Sequence, residues 1–591
     1  MSISSNVRRE RNAEFGVFGG RLQRINLETW FLMFLPMTRP EMQKLGWERA
    51  DVILVSGDAY IDSPFCGIAV VGKTLMAAGY KTAVISQPDT CTDDIMKLGT
   101  PNLYWGVSAG ATDSLVANYT SSGKKRKNCD FTPGGVNCKR PDRASIVYSN
   151  LIKRYSPVGS AKKPIVLGGI EASLRRMAHY DFLEDKIRRP ILFDAKADFL
   201  IYGQGEITAV RLAEALANNR SPLEIDGLCH ISRRLPEDAM ILPTFEECAA
   251  DRDAFAEFFR QFHFQASTLS RKISTQKCGD RWLVQNPAYI MDSKTLDHIY
   301  GQDFERAVHP YDLDKGAVAA AETTRFSITS HRGCFGECNF CAISVHQGRM
   351  VVSRGEASII SEARTIAAMR GFNGTITDVG GATANMYGAE CPKMLKGAPC
   401  ADNNCLFPVP CEFLNNSQKR YADILAILRK TDGIKKINVA SGIRCDLALA
   451  DKANGGRFIS DLAKYHTGGQ IKLAPEHIDP AVLRYMGKCS AAFSEKFAAK
   501  FMETSRREGK KQFVTYYFMA AHPGCTVYSM EKLKRYIREQ LNFTPEQVQI
   551  FTPTPSTWST CMYYTEKDKN GEPLFVPKGK IKNAQKKLIL R

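Results

Sequence analysis

Cys334, Cys338 and Cys341 carry the chemistry most plainly written in this chain of 591 residues. They stand in Ser327-Ile-Thr-Ser-His-Arg-Gly-Cys-Phe-Gly-Glu-Cys-Asn-Phe-Cys341, spaced by three residues and then two. A short loop with that spacing can wrap three thiolates around three corners of an iron-sulfur cubane, whereas a complete iron-sulfur or zinc site normally takes four protein ligands. One iron is then left with open positions, where a substrate or cofactor can bind and receive an electron. Phe340, the aromatic residue before the last cysteine, fits the same reading. Two plainer readings are an incomplete zinc knuckle and three unrelated thiols.

The elements that must position these thiols follow from the flanking pattern. Residues 325–330 read as a strand with the thiols in the loop at its carboxyl end. Ser353-Arg-Gly-Glu356 has the form of a capping box, and Ile359, Ala363 and Ile366 mark one face of the helix behind it. Further strands are expected at 374–379, 436–440, 469–474, 513–520 and 548–551. Strand and helix alternate, which predicts a partial parallel (β/α)6 barrel with ligands at its carboxyl-terminal mouth. That mouth would gather Gly380, Gly381, Ser441, Arg444, Asp446, Glu476, His477, His522 and Pro523. Glycine lets a backbone approach a ligand closely, and a hydroxyl and a guanidinium at Ser441 and Arg444 suit a ribose or a carboxylate. Glu476 and His477 are the catalytic candidates, as hydrogen-bonding or general acid-base groups. For each single residue, a structural hydrogen bond at a strand end is the plain alternative.

The first half of the chain also alternates short apolar strands with helices, at 51–60, 67–79, 81–88, 164–174 and 198–206. This predicts βαβ units and a parallel sheet, with a ligand crevice near Gly57, Asp58, Gln87, Ser108, Gly110, Gly168 and Gly169. Residues 122–143 form a long basic loop, rich in glycine and proline, able to cover a site or grip an anion. Arg175, Arg176, His179 and Asp181 make a polar cluster with either a surface or a site role. The fold class is therefore α/β, in four parts: a Rossmann-like domain at 1–234, a mainly helical bridge at 235–315, a barrel core at 316–552 and a basic extension at 553–591. Within the extension, 560–565 reads as a strand and 578–591 as a basic amphipathic helix docked on the core.

Hydrophobic residues at 44% and charged residues at 24% are ordinary for a soluble globular protein. No stretch reaches the roughly 18 apolar residues of a membrane span, and no secretory apolar region opens the chain. The expected location is the cytoplasm, where 18 cysteines read as reduced thiols and metal ligands. A net charge of +18 admits a polyanionic partner such as RNA, and equally a solvated basic surface.

The cysteine motif with Phe340 resembles the signature of the radical S-adenosylmethionine (SAM) superfamily. Taken with His331–Arg349, Gly57-Asp-Ala-Tyr60, Gly168-Gly-Ile-Glu-Ala-Ser-Leu-Arg-Arg176, Ala474-Pro-Glu-His477 and Phe551-Thr-Pro-Thr-Pro555, nearly the whole chain resembles the YgiQ-type radical SAM proteins. The resemblance implies a [4Fe-4S] cluster on Cys334, Cys338 and Cys341, and SAM at the open iron near Gly380, Gly381, Ser441, Arg444, Glu476 and Phe340. It also implies an electron donor such as flavodoxin or ferredoxin and reductive cleavage of SAM to a 5'-deoxyadenosyl radical. No substrate follows from it. The Gly-Gly-Glu element of that fold has Ala382 in its third place here. The first domain resembles the one that precedes the core in cobalamin-type radical SAM proteins. Its D-x-H-x-x-G motif is absent, and Asp62-Ser-Pro-Phe-Cys-Gly67, with Ser63 where a histidine is expected, is the nearest stretch. Cobalamin is accordingly not expected.

A second set of thiols, Cys391, Cys400, Cys405 and Cys411, lies in an insertion at about 388–412. Four soft ligands suit a second iron-sulfur cluster or a structural zinc, with free thiols as the alternative. Two further functions remain open: a radical methylthiotransferase or methyltransferase acting on RNA, and a zinc-stabilised nucleic-acid-binding protein without catalysis.

Overall fold

The computed structural model describes residues 34–590 except 158, 160, 266–269, 398–399, 401–403, 542–544 and 546–547. Most of the polar leader and part of the cysteine-rich insertion lie outside the described residues. The first half is built on a nine-stranded sheet. Its strands in chain order are β1 (Val52–Ser56), β2 (Thr82–Ser86), β3 (Tyr104–Ser108), β4 (Ile165–Gly168), β5 (Phe199–Ile201), β6 (Leu228–Ser232), β7 (Met240–Leu242), β8 (Ser274–Cys278) and β9 (Arg281–Gln285). Strands β1 and β2 are buried at every position, as central parallel strands covered on both faces must be.

The sheet order is β7-β8-β9-β6-β5-β4-β3-β1-β2. Strands β1 to β5 pair in parallel, a doubly wound arrangement whose switch point falls between β1 and β3. The chain's own basic loop lies over that point. Arg140 forms an ion pair with the buried Asp58, and the side-chain amide of Gln87 donates to Gly57 O at 2.9 Å and to Thr132 Oγ1 at 2.8 Å. Nearby, Arg175 and Arg176 are buried and partnered, by Asp113 at 2.6 Å and Gln285 at 2.7 Å. They hold the domain together.

Three expectations need correction. Residues 235–315 are not mainly a helical bridge, because β7, β8 and β9 extend the sheet from within them. The aromatic stripe does form a helix, Arg252–Gln265, with Phe255, Phe258, Phe259 and Phe262 in the core. Residues 560–565 are helical: Thr557 caps a helix over Trp558–Thr565 whose side chains are buried on nearly every side, and that packing overrides the strand preference of its threonines and tyrosines. The helix after the cluster loop starts from Gly355, without a side-chain cap, and Ser353 Oγ accepts instead from Gly388 N–H at 2.8 Å.

The second half is the partial barrel. Its strands are β10 (Ser327–Thr329), β11 (Thr375–Ile376) continued by β12 (Asp378–Gly380), β13 (Lys436–Ile437), β14 (Gln470–Glu476), β15 (Phe513–Ala520) and β16 (Gln549–Ile550). β10 pairs with β12, β11 with β13, and β14, β15 and β16 form one ladder, all parallel. Val439 N–H donates to His466 O at 2.9 Å, and the His466 ring Nδ1 lies 3.1 Å from Ile437 O, joining the third strand to the segment before the fourth. Isoleucines 328, 359, 366, 376, 424 and 437 fill the core beneath the mouth. The two halves are joined by buried ion pairs, Arg332 with Glu206 at 2.5 Å and Arg306 with Glu362. The last helix, Lys580–Leu590, docks on the barrel through Gln585, which accepts from Ala521 N–H at 2.9 Å and donates to Cys525 O at 2.8 Å.

Candidate active site

The cluster loop leaves the carboxyl end of β10 and is held from several sides. Phe335 is 1% exposed and anchors it in a small apolar group. Gly333, at φ +85°, lies so close to Met350 O that any side chain would collide, and its backbone conformation suits glycine. Asn339 is the main fastener. Its N–H donates to Met486 O at 2.9 Å, its amide to Tyr485 O at 2.8 Å, and its carbonyl accepts from Ser559 N–H at 2.8 Å. Phe340 stands edge-on to His522, 6.3 Å between ring centres.

The three thiols face charged groups of the mouth. Gly336 N–H donates to Cys334 Sγ at 3.3 Å, and Arg444 Nη1 to Cys338 Sγ at 3.6 Å. Burial, with the neighbouring Cys338, pushes the Cys341 thiol up to about 12, and burial also raises that of Cys334. Metal binding must therefore displace protons from these sulfurs. Arg444 is 8% exposed. Burial opposes its charge, but Asp446 beside it, with Nε to Oδ1 at 2.9 Å, holds the guanidinium well above its usual range. Asn385 clamps the Arg444 backbone in both directions, at 2.8 and 3.0 Å.

Glu476 adopts φ +66°, a conformation that costs a non-glycine residue free energy and that clusters at functional positions. Burial raises its pKa, Lys488 opposes that rise, and its charge in turn raises the pKa of Cys341. Lys488 reaches Ala474 O at 2.7 Å and is held charged, against its burial, by Cys338 and Glu476. Of the expected mouth residues, the structure thus gathers Arg444, Asp446 and Glu476 at the thiols. His477 is turned elsewhere. It is fully buried, its Nδ1 accepts from Asp479 N–H at 3.0 Å, its Nε2 lies 3.7 Å from Cys525 Sγ, and burial lowers its pKa to about 4. His522 is similarly enclosed, with Nε2 2.6 Å from Ser559 Oγ.

The glycine pair serves close packing within the chain. A Cβ on Gly380 would fall 2.6 Å from Ser441 Oγ, and one on Gly381 2.8 Å from the ring of His331. Ser441 Oγ donates to Asp378, whose other oxygen accepts from Ala440 N–H at 2.7 Å and Ser441 N–H at 3.1 Å. Sequence reasoning missed Asp378, His331 and Lys488. Asp378 had a signal, an acid two residues before a glycine pair at a strand end. His331 is fully buried beside Gly381 with Ser330 Oγ 2.9 Å from Nδ1, and its Nε2 makes no well-directed hydrogen bond.

Three thiols on one loop, with an N–H donor and a guanidinium on their sulfurs, have the chemistry of an iron-sulfur donor set. Among the described residues, no three histidine, cysteine, aspartate or glutamate side chains gather as a metal-ion site. Thiolates on separate irons of a cubane stand farther apart than those around one zinc, whose bonds are about 2.3 Å. No helix of the described residues is long and apolar enough to cross a membrane.

Residues 34–327 match the family described as Radical SAM N-terminal, a span that takes in β1 to β9 as one unit. A UPF0313 protein of Fusobacterium nucleatum is 49% identical over 95% of this chain and 99% of its own length. Another, from Thermotoga neapolitana, is 43% identical over 94% and 98%. The solved structure of the radical SAM methyltransferase TsrM from Kitasatospora setae, with cobalamin and a [4Fe-4S] cluster bound, is 15% identical with a TM-score of 0.47, covering 87% of this chain and 78% of that one. The cobalamin-dependent radical enzyme OxsB, with aqua-cobalamin bound, is 12% identical with the same TM-score, covering 89% and 57%. The expectation against cobalamin is corrected by these two structures: it rested on a missing histidine motif alone, and both hold the cofactor. Matched along almost its entire length by such relatives, the chain belongs to the UPF0313 family, the YgiQ-type radical SAM proteins.

Proposed function

We propose that this radical SAM enzyme holds a [4Fe-4S] cluster on Cys334, Cys338 and Cys341 and binds SAM against it at the barrel mouth. The observation that carries the reading is the set of three half-buried thiols, with a backbone N–H at Cys334, a guanidinium at Cys338 and the strained Glu476 near enough for its charge to raise Cys341. When bound, the cluster supplies an electron that cleaves SAM to methionine and a 5'-deoxyadenosyl radical, which takes hydrogen from the substrate. The protein's own part is positional. Arg444 and Lys488 offset the negative charge of the thiolates, and the Asp378–Ser441 pair and His331 offer hydrogen bonds to a polar ligand at the adjoining strand ends. Phe335, Phe340 and Leu447 keep the loop dry.

Anaerobic reconstitution with iron and sulfide tests this. A brown protein that forms 5'-deoxyadenosine from SAM under dithionite, lost in Cys338→Ser, is the expected result. A reconstituted protein that forms none would refute the proposal.

A further inference from the structure

The radical site leaves the second set of cysteines unused. Cys391 is buried in the apolar group around Phe335, and Cys405, Cys411 and Cys334 of the cluster loop pack against that same group. Cys411 N–H donates to Cys405 O at 2.9 Å. Between residues 388 and 417 the described chain has one short helix, Pro392–Leu395, and an isolated bridge between Glu390 and Asn415. So long a segment with so little structure of its own calls for a fastening. Cys400 borders residues outside the described set, so the assignment rests on the other three.

Arg349 supplies the independent observation. It is 4% exposed and permanently charged. Its Nη2 donates to Cys405 Sγ at 3.8 Å, and its Nε lies 2.8 Å from the carboxyl of Glu337. Even so, Nε and Nη1 make no well-directed hydrogen bond. Glu337 pairs with this buried cation, and thiolates bound to iron would add negative charge and an acceptor on its Cys405 side. The arrangement repeats that of the first site, where Arg444 reaches Cys338 at 3.6 Å with Asp446 behind it. Cys405 also shares a cavity of about 340 Å³ with Gly336 and Glu337 of the cluster loop.

We infer that Cys391, Cys405 and Cys411 hold a second iron-sulfur cluster, separated from the first by Phe335. The guanidinium on Cys405 parallels the one on Cys338 of the first loop, which is why iron and sulfide, and not zinc, are assigned here. The inference does not depend on radical chemistry at the first site.

The test is iron and acid-labile sulfide per chain after anaerobic reconstitution. The proteins compared are the wild type, Cys334→Ser/Cys338→Ser/Cys341→Ser and Cys391→Ser/Cys405→Ser/Cys411→Ser. If both clusters are cubanes, about 8 irons are expected in the wild type and about 4 in each variant, with two distinct reduced electron-paramagnetic signals in the wild type. About 4 irons in the wild type with one signal overturns the inference whether or not the variants fold. So does about one zinc in place of the second set of irons. Iron retained by the first variant and lost entirely from the second would instead refute the radical-site proposal and leave this inference standing.

Discussion

Arg444 offers the sharpest test of how the mouth is held together. Its partner Asp446 is fully buried and takes two hydrogen bonds from the guanidinium and one from Leu447 N–H at 3.0 Å. Arg444→Met keeps most of the volume but leaves that carboxylate without its main counter-charge. Breaking a buried pair from one side costs about 3–5 kcal/mol, a large share of the 5–15 kcal/mol that holds an ordinary domain. Arg444→Met/Asp446→Asn removes the stranded charge, so the double variant should recover about 2 kcal/mol relative to the single one. Arg444→Lys keeps the charge but loses the planar fork and should fall between wild type and Arg444→Met. Urea unfolding of the metal-free protein at fixed pH measures all three. A loss below about 1 kcal/mol in Arg444→Met, or a double variant no more stable than it, would show that the pair is not desolvated as described.

Three further outcomes follow from the same geometry. Gly381→Ala should cost about 1–3 kcal/mol by forcing His331 aside, while Gly442→Ala, with nothing within 4 Å of its new carbon, should be near neutral in the same unfolding assay. Glu362 joins Arg306 to the fully buried Arg354, so Glu362→Gln leaves Arg306 without its anion and Arg354 with only Asp297, 3.9 Å away, and should cost about 3–5 kcal/mol. His466, His477 and His522 are buried neutral, with burial lowering their pKa values to about 4, 4 and 3. The unfolded chain takes up protons near pH 6.5 that the folded one refuses, so stability should fall as pH drops from about 6.5 toward 4, by up to about 3 kcal/mol per histidine. Unfolding midpoints from pH 7.5 to 5 check this, and His466→Gln should flatten the slope.

Much of this was legible in the sequence, for identifiable reasons. The cluster cysteines, the six barrel strands and the parallel strands β1 to β5 of an otherwise mixed first sheet rest on local spacing and on apolar runs, which tertiary context seldom overrides. β8 and β9 escaped notice because Ser-Thr-Gln-Lys-Cys is largely polar and Arg-Trp-Leu-Val-Gln carries only three apolar residues between polar ends. Their hairpin was nevertheless marked by Gly279-Asp280, with Gly279 at φ +62°. His477 was read into the mouth because strand-end position does not say where a ring points, and Asp479 N–H draws it inward. Lys488 lies in no strand. It arrives beside Cys338 only because Gly487, at φ +65°, ends the preceding helix against Asn339.

Asn339 also bears on how the enzyme is made. The three thiols emerge from the ribosome long before Tyr485, Met486 and Ser559, the residues that fasten their loop. Until those residues are made, the loop lacks all three of these fasteners. If it holds the proposed cluster, removing the helix over Trp558–Thr565, whose Ser559 N–H fastens Asn339 O, should leave a protein that retains iron poorly although every ligand is present.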